Sequence, residues 1–190
     1  MNDPDNTESK ALRSIEDKFQ KALLANQQND VDRANKLFKE IIEQEPRLAE
    51  ARIEYAYNLL GMGRLTEAQG HADEGVRLLE NSGSWLADIE DDVILSMAYS
   101  LQGEIFRELA SSDDVVFRQP EEFKQLMERA KSSFNKAAAL DSNNEHAQYW
   151  GGFDEAWENP MAALDDDMLN HPIPEDDLLL DENSSDNNDL

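Results

Sequence analysis

Apolar residues in this chain recur at spacings of three and four over most of its length, the period of an amphipathic helix and not of a strand. The pattern breaks at short polar stretches such as Asn29-Asp30, Glu45-Pro46, Gly61-Met62-Gly63 and Asp141 to Asn144. Alternating β-branched runs are absent, and 8 Gly and 6 Pro are few for a chain of 190 residues. The period predicts helices at about 8–27, 31–45, 48–61, 65–80, 87–111, 120–140 and 144–158. Helices joined by so few residues fold back on one another as hairpins. The expected fold class is therefore all-α.

Hairpins in series raise the question of an internal repeat. In the second helix, Ala34, Phe38 and Pro46 are spaced A-x3-F-x7-P. A small residue lets two helices approach, an aromatic fills the gap one turn later, and proline stops the helix. An advance of 34 residues from Ala34 lands on Ala68. Gly63 then falls at the turn between paired helices, where a left-handed backbone is wanted, and Asn29 takes that place one repeat earlier. A third copy keeps the spacing at Ala130, Phe134 and Ala137 and ends in Leu140-Asp141-Ser142-Asn143-Asn144.

On these residues the chain resembles the tetratricopeptide repeat family over about residues 15–158. The resemblance implies a right-handed superhelix of about three helical hairpins with a capping helix. It also implies a domain at 11–158, after a flexible N-terminus at 1–10 and before a disordered acidic tail at 159–190. There are departures. Repeat 2 has Ala72 and Gly75 where the family commonly has bulkier residues, and it lacks a closing proline. In repeat 3, Gly103 matches the small residue of the first helix, but Ala130 follows 27 residues later and not the ~12 of the family pattern, which places an insertion at about 109–122. That insertion is expected to lengthen both helices and add a loop.

Solenoids of this kind bind a segment of another protein on the concave face lined by their first helices. Matched to the family pattern, the groove is expected to hold Phe19 and Leu23 from repeat 1 and Glu50, Glu54 and Tyr57 from repeat 2. Repeat 3 is expected to add Ser100, Glu104 and Glu108, with Met97 and Leu101, and Arg107 lies beside them. The best-known ligands of the family are acidic tails ending in EEVD, gripped by a clamp of Lys, Asn, Asn, Lys and Arg. The corresponding residues here are Phe19, Leu23, Glu54, Met97 and Leu101, so that clamp is missing. A mixed apolar and acidic groove suits a basic or amphipathic segment instead.

Charge points the same way. The net charge is −25, and beyond Lys136 the chain has no Lys or Arg against 15 acids. Such acidity disfavours direct nucleic-acid binding and adsorption to anionic membranes. The tail sets two apolar clusters, Met168-Leu169 and Leu178-Leu179-Leu180, among acids, a pattern either of a recognition motif or of a solubilising tail. Tyr149, Trp150, Phe153 and Trp157 crowd the last helix, as a cap over the final repeat or as an aromatic anchor for a partner. Trp85 is expected to staple the long helix that follows it.

Catalytic chemistry is not visible. Cysteine is absent, and His71, His146 and His171 have no partner at metal-ligand spacing. No phosphate loop or nucleophile elbow is found, so no catalytic residue, metal or cofactor is expected. The expected function is a cytoplasmic adaptor or dedicated chaperone, with the nucleus left open as a second location, binding a protein client with neither nucleic acid nor membrane insertion. The alternatives are a scaffold subunit of a larger complex and a regulator acting through its tail.

Overall fold

A computed structural model describes residues 4–81, 83–86 and 88–152. The described residues form eight helices: α1 (Pro4–Gln27), α2 (Val31–Gln44), α3 (Ala49–Gly61), α4 (Leu65–Glu80), α5 (Asp91–Ala110), α6 (Asp113–Arg118), α7 (Pro120–Leu140) and α8 (Glu145–Gly152). They pair as the repeat spacing predicts: α1 packs on α2, α3 on α4 and α5 on α7, while α8 covers α7. Among the described residues the extended pairing is one bridge, Leu48 to Ser84, which ties the α2–α3 turn to the α4–α5 loop. From that loop Leu86 packs against the core, while Trp85 stays partly exposed.

The turns follow from two residues with positive φ, Asn29 at 59° and Gly63 at 70°. Past the end of α3, the Gly63 N–H donates to the Leu60 carbonyl and the Arg64 N–H to the Leu59 carbonyl, both at 2.9 Å. Past α1, Asn29 and Asp30 repeat this pattern on Asn26 and Ala25. A left-handed residue just beyond the helix satisfies carbonyls that would otherwise lack donors. Asp30 then caps the next helix by accepting from the Arg33 N–H.

The small residues of the repeat lie where helices touch. Ala34, Phe38, Ala68, Ala130, Phe134 and Ala137 are all 0% exposed. Repeat 2 compensates for its lack of a second-helix aromatic from the helix before. Ile53 of α3 occupies the space over Gly75, and Tyr55 is 2% exposed with its ring 4.7 Å from His71. The insertion differs from the loop expected: α5 stops at Ala110 and α6 forms a short helix of its own before α7. Buried Val115 anchors α6, and Arg118 pairs with Asp114 at 2.9 Å one turn back. Pro120 opens α7 at a position where a missing N–H costs nothing.

One core contact predicts an alkaline response. The Tyr99 hydroxyl of α5 donates to the Glu80 carboxylate at the end of α4, and Lys136 of α7 lies over its ring at 4.7 Å. Burial first, and then the hydrogen bond and charge of Glu80, push the phenol from 10.0 up to about 12. A group whose folded pKa is raised gives stability that is complete below its unfolded pKa and is lost as pH rises through the folded one. Stability should therefore fall between pH 10 and about 12. Tyr99→Phe should lack that component in urea unfolding curves taken across the same range.

Candidate functional site

On α3, Ile53, Glu54, Tyr57 and Leu60 follow one helical face; on α5, Met97, Ser100, Leu101 and Glu104 do the same. The two faces meet across a cavity of about 570 Å³, which Asn144 and His146 at the start of α8 also line. Most of the lining is apolar, and Tyr57 and Met97 stand 64% and 54% exposed on it. A concave apolar surface with a few polar groups is the usual form of a ligand site.

The structure brings Glu54, Tyr57, Ser100 and Glu104 together in this cavity. Leu23 lies in an adjoining hollow that Glu54 and Tyr57 also wall. The other expected groove residues are placed differently. Phe19 is 3% exposed and sits edge-on to Phe38 at 5.9 Å, so it belongs to the α1–α2 core. Glu50 is 7% exposed, and its carboxylate accepts the Leu86 backbone N–H, which fastens the α4–α5 loop. Glu108 is absent from the cavity wall and binds Arg107 at 2.7 Å. The tail residues Met168, Leu169, Leu178, Leu179 and Leu180 lie outside the described residues, as do Phe153 and Trp157.

Electrostatically the cavity is less acidic than its composition suggests. Glu104 is paired with Arg107 at 2.6 Å, and His146 Nε2 lies 3.6 Å from its other oxygen. Arg107 in turn stacks over the Trp150 ring at 4.9 Å. Glu54 stands apart, with no ion-pair or hydrogen-bond partner among the described residues. Burial, and secondarily the nearby Glu50 charge, push its carboxyl above the usual 4.5. A carboxylate held partly desolvated and unpaired is costly, and such groups concentrate at functional sites.

Asn144, His146 and Leu60 were missed by sequence reasoning. Asn144 had a legible signal, since it is the last polar residue before α8 and accepts the Ala147 N–H at 3.0 Å as a helix cap. Its role in the cavity had none, because it depends on Asn144 donating to Ser96 and Ser100 of α5, each at 2.9 Å. Asn144→Ala should cost ~1–2 kcal/mol of stability, the scale of a lost cap. Hydrogen exchange should show α8 amides losing protection while those of α1 and α2 keep theirs.

No metal-binding group of three or more acidic or histidine side chains occurs among the described residues, nor any helix long and apolar enough to cross a membrane. The model of the tetratricopeptide repeat family matches residues 25–83. No curated protein matches the sequence. Among solved structures, the first TPR of Spaghetti (RPAP3) bound to HSP90 peptide SRMEEVD is similar at 16% identity and TM-score 0.56, covering 74% of this chain and 89% of that one. The Arabidopsis OM64 TPR domain is similar at 15% identity and TM-score 0.56, over 75% of this chain and 94% of that one. The N-terminal domain of stress-induced protein-1 (STI-1) from C. elegans gives 13% identity and TM-score 0.55, over 76% and 98%. Residues 25–83 thus match the tetratricopeptide repeat model, and the described helices share the fold of these tetratricopeptide repeat domains.

Proposed function

We propose that this chain is a protein-interaction module, an adaptor or dedicated chaperone, that binds a basic or amphipathic segment of a client polypeptide in the cavity between α3, α5 and α8. The observation that carries the reading is Glu54: a partly buried carboxylate without a partner among the described residues, set among Ile53, Tyr57, Leu60, Met97 and Leu101. A lysine or arginine flanked by apolar residues would supply the missing charge and cover the apolar wall.

The ligand in the Spaghetti structure is SRMEEVD, a peptide rich in carboxylates. Here the positions that match the family's clamp are Phe19, Leu23, Glu54, Met97 and Leu101, so none offers a cation and one carries a negative charge. The same fold would then serve a ligand of opposite sign, since complementary potential decides which partner a surface accepts.

Titration calorimetry with the full chain tests this. A peptide with one lysine set among leucines should bind, and replacing that lysine by norleucine should weaken binding ~10-fold or more, the scale of one desolvated charge pair. SRMEEVD should not bind. Should the norleucine peptide bind as tightly as the lysine peptide, Glu54 is not the recognition element and the reading fails.

A further inference from the structure

Glu54 does not end the groove. With Tyr57 it also walls a second hollow of about 450 Å³, where the lining changes from apolar side chains toward amides, Asn26 of α1 and Asn58 of α3 among them. Asn58 gives both of its side-chain N–H groups away, to Asn26 Oδ1 at 2.9 Å and to Asn35 Oδ1 at 2.8 Å. The amide nitrogen of Asn35 reaches the Met62 sulfur at 3.3 Å. These bonds fix which way each amide points. Among the described residues they leave Asn58 Oδ1 as an unused acceptor and Asn26 Nδ2 as an unused donor, and neither is sealed from solvent.

A donor and an acceptor offered by residues that line one hollow match what an extended chain presents along its main chain, a free C=O and a free N–H. A helical ligand has already spent both groups internally. Side chains four apart on a helix face have Cβ atoms ~5–6 Å apart, so Glu54 and Asn58 are separated by about that distance. An extended chain covers the same distance in about two residues, at ~3.3 Å each.

We propose that Asn26 and Asn58 hold the main chain of the ligand whose cationic side chain meets Glu54. The partner is then an extended segment, with its cation about two residues from the gripped peptide unit. The inference rests on Glu54 being the recognition element, and it adds the ligand's conformation and register.

An array of short, end-blocked peptides, each with one lysine or arginine among apolar and hydroxyl residues, provides the probe. The tightest binder to the full chain is remade with each backbone amide replaced in turn by an ester. One ester, near the cation, should weaken binding ~10-fold, the scale of one or two lost hydrogen bonds, and the rest should matter little. In Asn26→Leu, with folding checked by thermal melting, that sensitive site should lose most of its effect. If the peptide depends on Glu54 but no single ester matters, or if it binds as a helix by circular dichroism, the main-chain grip is overturned and the cavity reading survives. If no peptide binds, or Glu54→Gln binds as well as the wild type, both fail together.

Discussion

Glu54→Lys should lower affinity for a basic amphipathic peptide on the order of 100-fold or more, because it sets a like charge against a desolvated cation. Reversal alone does not separate recognition from damage, so the isosteric Glu54→Gln is the sharper variant. It keeps the shape of the side chain and removes the charge. In the empty domain that charge is a burden, since burial and Glu50 hold the carboxyl above 4.5. An acid whose folded pKa is raised contributes stability that is complete below its unfolded value and is lost as pH rises through the folded one. Near neutral pH, Glu54→Gln should therefore melt higher than the wild type, and the two curves should converge below pH 4.5. Binding should move the opposite way, with the more stable variant binding the lysine peptide more weakly. Stability rising while affinity falls is the signature of a group kept for a partner. Identical melting at every pH would show a solvated carboxylate with no cost to relieve, and Glu54 would lose its claim.

The frame of the domain was legible because its determinants are local. Ala34 and Phe38, or Ala130 and Phe134, specify a close helix approach by their own spacing, and Asn29 and Gly63 mark turns that need positive φ. The site was legible only in part. Helical period says that Phe19 and Leu23 share a face, but not that Phe19 turns into Phe38 while Leu23 stays at the hollow. An acid such as Glu50 reads as exposed in any local scheme. Its burial depends on the Leu86 N–H, 36 residues away, which no periodicity can report. Pairing of Glu104 with Arg107 was readable from a spacing of three residues, and it removes Glu104 from the free negative charge of the groove. The six residues of α6 are too few to display a period, so a helix there reads as loop.

The largest loss of stability is expected where Gly103 meets Phe134. Phe134 is 0% exposed, and three of its ring carbons lie 3.0 Å from where a Cβ on residue 103 would stand. The ring has little room to retreat, since Trp150 stacks on it at 6.2 Å and His146 meets its edge at 5.5 Å. Two effects oppose each other in Gly103→Val. Replacing a helical glycine gains a few tenths of a kcal/mol in propensity. Forcing a branched side chain into a filled core costs ~3 kcal/mol, so packing decides the sign. Phe134→Ala should cost ~3–5 kcal/mol from the opposite direction, by leaving a cavity. Because these residues share one contact, Gly103→Ala combined with Phe134→Leu should destabilise less than the two single changes summed. A repeat stack transmits such damage mainly to its neighbours. Hydrogen exchange on Phe134→Ala should therefore show protection falling first in α5, α7 and α8, with α1 and α2 affected least. The lysine peptide should be lost with it, because Asn144, which caps α8, and His146 of α8 line the same cavity as Glu54. Uniform loss of protection across all helices would instead mean that the domain unfolds as one unit. The cavity would then owe its shape to the whole stack and not to this one contact.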